Sequence, residues 1–203
     1  MSGVLIEIQS VPGNPRKLVL TMTDDGLDIS GVSFRWAEID RVKYSAVDRH
    51  LNGAYMGTTF AIEVGNAAKR RMRFALDSGT TGALKSKVDE ARRDRNQSEW
   101  TRAVEILESR VCVRLAHEAV ATVRRGGVAE LGGLRLDDRG VHKPGVFSKS
   151  VAWPDVAGTA VKHPYFQVTT AAGGPVRKAL EVPNDGWNVV LLARVINALR
   201  QPT

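Results

Sequence analysis

The chain says the same thing twice. Asp24-Asp25-Gly26-Leu27-Asp28-Ile29-Ser30-Gly31-Val32-Ser33-Phe34-Arg35-Trp36-Ala37-Glu38-Ile39 returns, loosely, as Asp137-Asp138-Arg139-Gly140-Val141-His142-Lys143-Pro144-Gly145-Val146-Phe147-Ser148-Lys149-Ser150-Val151-Ala152-Trp153-Pro154-Asp155-Val156. Each copy reads as an acidic turn with glycine, a strand, a glycine turn and a second strand. Trp, a small residue or Pro, an acid and a β-branched residue then follow. A repeat constrains the fold more than local propensity does, because one supersecondary unit must be built twice. Trp36, Glu38, Trp153 and Asp155 are therefore expected to be structural repeat positions.

The flanking pattern extends the repeat into two halves. Val4–Gln9 and Arg16–Thr23 alternate apolar and polar residues, as strands do. Val11–Pro15 between them has turn chemistry. Ile39–Ala46, Gly57–Val64 and Arg70–Leu76 continue the strands, with turns at Asn52-Gly53 and Gly65-Asn66. Thr80 or Thr81 can then cap a helix over 80–95 in which Leu84, Val88 and Ala91 hold helical spacing. A second helix over 97–126 carries Trp100, Val104, Leu107, Val111 and Leu115 on one face and ends at Gly126-Gly127. Strands resume over Val128–Leu136, Gly140–His142, Val146–Trp153, Val156–Lys162, Tyr165–Thr170 and Val176–Val182, with a turn at Ala172–Pro175. Asn184 or Asp185 caps a last helix, over 185–200. The expected domains are 1–96 and 127–203, with 97–126 as a connector helix.

A small antiparallel barrel leaves one end open, and one amphipathic helix is the right size to close it. The order of elements, the domain size, the closing helix and the strand turning through Trp36-Ala37-Glu38-Ile39 and Trp153-Pro154-Asp155-Val156 resemble bacterial pleckstrin-homology-like (PH-like) domains. The resemblance covers nearly the whole chain as a tandem pair, leaving out the connector. It implies an α+β fold, mainly β: two antiparallel barrels or sandwiches, each closed by a C-terminal helix. Eukaryotic relatives that hold inositol phosphates use basic residues on the first two strands and their loop. Here that region offers only Arg16 and Lys17, which argues against such binding.

Composition narrows the function classes. The 203 residues carry a net charge of +7, which favours acidic partners. The excess is +3 up to Asn96 and +4 beyond it, so no basic tail collects it. The single cysteine, Cys112, permits no internal disulfide, and together with the lack of a signal-peptide pattern this suggests the cytoplasm. His50, His117, His142 and His163 lack zinc-site spacing, and neither a Gly-x-Ser-x-Gly elbow nor a phosphate-binding glycine motif occurs. We expect no metal, no cofactor and no catalytic residues. Aromatic content of 6% argues against nucleic acid.

Two features occur once and are the candidate sites. Lys69, Arg70, Arg71 and Arg73 form a basic stripe that suits anionic lipid or an acidic partner, though a solvated strand face is the simpler reading. Asn52, Gly53, Tyr55 and Met56 form a glycine-flanked loop of the kind that carries partner contacts. Lys143, Lys149, Lys162 and Lys178 look scattered. The expectation is a non-catalytic adaptor for a protein or peptide partner, with possible self-association. The alternatives are a peripheral membrane module and an unrecognised enzyme.

Overall fold

The computed structural model describes residues 3–10, 18–78, 87–146, 148–171 and 174–201. Val11–Pro15, Arg16, Lys17, Thr80, Thr81, Leu84, Phe147 and the first half of the Ala172–Pro175 turn lie outside them. The architecture is mainly β: four antiparallel sheets with helices, in two compact units, Met1–Val111 and Cys112–Thr203.

In the first unit, β1 (Val4–Gln9), β2 (Val19–Thr23), β3 (Gly26–Ile29) and β4 (Val32–Arg35) form a sheet in sequence order. Alternation puts Ile6, Ile8, Leu20, Met22, Leu27, Ile29 and Phe34 into the core. A 3-10 turn over Trp36–Glu38 leads to the second sheet, β5 (Arg41–Leu51), β6 (Ala54–Gly65) and β7 (Arg71–Asp77). Its inner face is Val42, Phe60, Ile62, Val64, Phe74 and Leu76. The two sheets share no strand, so the described strands do not close into the expected barrel.

Helix α1 (Lys87–Leu107) packs on β6 and β7. Trp100 fastens it, donating its indole N–H to the Ala61 carbonyl at 3.2 Å and meeting the ring of Phe60 at 5.6 Å. The helix end expected near Asn96 does not occur. Asn96 is fully buried within α1, because its position falls on the stripe that continues through Trp100, Ala103 and Leu107. Glu108–Cys112 then form a π-helical turn, and the division between units falls inside it. The extra residue per turn moves the buried stripe from Ala103, Leu107 and Val111 to Cys112, Leu115, Ala116, Ala119 and Val123.

The second unit begins with α2 (Val113–Arg124), which ends on Gly126 at φ +78°, the left-handed stop that glycine provides. β8 (Ala129–Leu131) and β9 (Leu134–Leu136) replace the single strand expected over 128–136. Gly132 and Gly133, at φ +58° and +81°, turn the chain between them. β10 (Gly140–Lys143) and β11 (Lys149–Ala152) complete a four-stranded sheet. After a 3-10 turn over Trp153–Asp155 come β12 (Val156–Lys162), β13 (Tyr165–Thr170) and β14 (Arg177–Pro183), again a separate open sheet. Helix α3 (Val189–Arg200) starts later than expected, with Asn188 as its N-cap residue, and packs on α2, β8 and β12.

The repeat is reproduced atom by atom. Trp36 donates its indole N–H to the Thr23 and Asp24 carbonyls, both at 3.1 Å; Trp153 donates to the Asp137 carbonyl at 2.8 Å. A Cβ added to Gly26 would sit 2.1 Å from the Phe34 carbonyl oxygen, and one added to Gly140 would sit 2.1 Å from that of Val151. Each glycine is therefore required by the strand that carries the tryptophan. Thr23 and Asp137 are equivalent: each accepts, through a side-chain oxygen, the N–H groups two and three residues on. Glu38 closes its 3-10 turn by accepting the Arg35 N–H at 3.2 Å; Glu38 and Asp155 are both exposed.

Candidate functional site

The β5–β6 hairpin is the most distinctive construction in the first unit. The two strands pair from Arg41↔Gly65 to Leu51↔Ala54, while β7 stops at Asp77, opposite Thr59. Ser78 continues the contact by donating its N–H to the Thr58 carbonyl at 3.1 Å, and beyond it the hairpin is, among the described residues, an arm of two strands. The expected partner loop is mostly this arm: only Asn52 and Gly53 turn, at φ +50° and +79°, and Tyr55 and Met56 lie in β6. A register fixed by a two-residue turn leaves no room for a longer loop.

Two-stranded ribbons are marginal on their own, and this one is held by a polar chain. The Thr58 hydroxyl donates to the Asp48 carboxylate at 2.6 Å and shares a 2.6 Å hydrogen bond with the Tyr55 hydroxyl. His50 meets the Tyr55 ring edge-on at 5.8 Å, and the Arg93 guanidinium of α1 lies 5.3 Å from the centre of that ring. Arg49 pairs with Asp77 at 2.5 Å. None of Asp48, His50, Thr58 and Arg93 stood out in the sequence. A signal existed only in the unequal strand lengths of the two halves.

Among the described residues β5 is an edge strand, with β6 on one side only. Ala46 to Leu51 are all exposed; Val47 and Leu51 share one face at 44% and 61% exposure. Such an edge is a template for another strand.

The basic stripe does not stay together. Lys69 sits in the β6–β7 turn at φ +61°. Arg70 turns to the seam between the sheets, its guanidinium 4.8 Å from the centre of the Phe34 ring and donating to the Ser33 carbonyl at 3.2 Å. Arg71 and Arg73 point to the outer face, where Glu63 takes both Arg73 at 3.5 Å and Lys43 at 3.6 Å. The outer face is thus a ladder of mixed charge. Arg70 also lines a groove of about 430 Å³ with Thr21, Asp28, Arg35 and Glu38, again of both signs.

On the outer sheet face of the second unit, His142 hydrogen-bonds Asp137 through Nε2 and Ser150 through Nδ1, each at 2.8 Å. The carboxylate can only accept, so Nε2 donates to Asp137. The same row exists in the first unit as Thr23, Asp28 and Ser33, where the Ser33 hydroxyl donates to Asp28 at 2.7 Å. We assign the row to the scaffold on that ground. Burial raises the Asp137 pKa, but the hydrogen bonds from His142 and from the Arg139 and Gly140 N–H groups outweigh it, and the carboxyl is held below 3.8.

Among the described residues no group of three metal-ligating side chains comes together, and no helix is long and apolar enough to cross a membrane. No protein-family model matches the chain, and no curated protein matches it significantly.

Proposed function

We propose that the chain is a non-catalytic binding protein made of two PH-like domains, and that its first unit recognises an extended segment of a protein partner by adding it as a strand to β5. The observation that carries this reading is the pre-braced arm: an edge whose last six residues, Ala46–Leu51, face solvent. Main-chain hydrogen bonds would supply affinity, and the alternate side chains Val47 and Leu51 would supply selectivity. Bracing by Tyr55, Thr58 and Arg93 lowers the ordering cost of binding. The PH-like assignment rests on the order of elements in each unit: four strands, a Trp-bearing turn, three strands and a helix. The basic stripe gives little support to a lipid surface, because Arg70 is engaged at the seam and Arg73 is matched by Glu63.

A displayed random-peptide library, followed by hydrogen–deuterium exchange of the complex, tests the proposal. Selected peptides should slow exchange of the Ala46–Leu51 amides, and Leu51→Glu should weaken them by about tenfold or more. Protection confined to any other element would refute it.

A further inference from the structure

The second unit holds a pocket at the loop end of its β10–β11 hairpin. Three of the lysines that look scattered in the sequence converge on it. Lys143 ends β10, Lys149 begins β11, and Lys178 stands on β14 beside Glu181; with Pro144, Gly145, Val146, Ala179 and Leu180 they line about 370 Å³. Lys143 and Lys149 are directly opposed in the β10–β11 register, and Lys143 follows the fully buried Val141 on the core-facing row. Opposed like charges about 5 Å apart at Cβ destabilise a sheet.

Pairing register identifies the counterparts in the first unit. Ile29 and Val32 are opposed where Lys143 and Lys149 are. Two apolar positions have therefore become charged. The two-residue turn Ser30-Gly31 has become the longer loop between Lys143 and Lys149, with Val146 95% exposed at its rim. An opposed pair of like charges works against the sheet where the first unit has an apolar pair.

The wiring inside the pocket indicates what it takes. Lys178 donates to the Glu181 carboxylate and Lys143 to the Glu181 carbonyl, both at 2.8 Å. Lys149 is exposed and its ammonium has no hydrogen bond or ion pair among the described residues. Three ammonium groups against one carboxylate leave two positive charges. A phosphate monoester carries nearly two negative charges at neutral pH, with three strong acceptor oxygens. Flexible ammonium donors suit such a group, and the volume leaves room for a small organic moiety.

We propose that this pocket binds a phosphoryl monoester, with Lys149 and Lys143 as its primary cations and Glu181 holding Lys178 in reserve. The site is independent of the β5 edge. It is tested on the full chain by calorimetric titration with glycerol phosphate and by flotation with phosphatidylcholine vesicles with and without phosphatidic acid, which carries the same group on a lipid. Binding should weaken with added salt. Lys149→Ala and Lys143→Met should each reduce it by about tenfold or more. Glu181→Gln, which frees Lys178, should strengthen it, and Lys162→Ala, outside the pocket, should leave it unchanged. Lys143→Met restores an apolar residue where the first unit has one, so it remains informative if Lys149→Ala misfolds. Binding of the soluble ester points to a free metabolite, and binding in the vesicle arm alone points to a lipid headgroup. Absence of binding in both arms, or binding undiminished in both lysine variants, overturns the proposal.

Discussion

In the first unit, Gly26 lies under the Phe34 carbonyl, Trp36 reaches back to Thr23, and the residues ending that hairpin are Ile29 and Val32. In the second, Gly140 lies under Val151 and Trp153 reaches back to Asp137, but the hairpin ends in Lys143 and Lys149. The turn and its tryptophan are held constant while the end of the hairpin changes from apolar to charged. Conversely, the first unit stretches β5 and β6 to 11 and 12 residues, where β12 and β13 have 7 and 6. The lesson is positional. What both halves share is scaffold, and each half has spent its freedom at a different end.

The comparison breaks most severely at the glycines. Gly140→Ala and Gly26→Ala should each destabilise their unit by about 3 kcal/mol or more, since the methyl group would collide with main chain that cannot yield. Urea unfolding checks this, and a tolerated alanine in one half alone would show that the two turns are not equivalent. The next effect has the opposite sign. Lys143→Ile with Lys149→Val rebuilds the first unit's pair in the second and should stabilise it by about 1 kcal/mol through removal of the opposed charges. An unchanged or lowered unfolding midpoint would mean that the lysines already have compensating partners. The smallest effect is electrostatic. Because the Asp137 pKa is lowered by folding, its contribution is present above the unfolded value and is lost as pH falls through the folded one. Asp137→Asn should therefore flatten the stability curve below about pH 4. Thr23, the matching residue, does not titrate, so Thr23→Asn should leave that acid limb unaltered.

Much of the fold was legible. Alternation in Leu20-Thr21-Met22 and Phe60-Ala61-Ile62 marks strands, and the Trp36 and Trp153 turns fall where the repeat places them. Element ends were less legible. Asn96 has the chemistry of a cap, yet packing of its neighbours Trp100 and Ala103 carries the helix straight through it. The candidate sites fared differently. Proximity in sequence made Lys69 to Arg73 look like one patch, but strand alternation and the pull of Phe34 on Arg70 divide it. Lys178 is distant in sequence from Lys143 and Lys149, and only strand pairing reveals that these two stand where the first unit has Ile29 and Val32.

The unequal hairpins also bear on how such a chain avoids tangling. Duplicated halves can exchange equivalent pieces while folding, and tandem repeats are prone to this misassembly. β12 is too short to pair along the whole of β6, which would leave the arm without a mate and without the Asp48–Thr58 bond that steadies it. The unequal strand lengths therefore favour pairing of each half's strands with their own neighbours over exchange between halves.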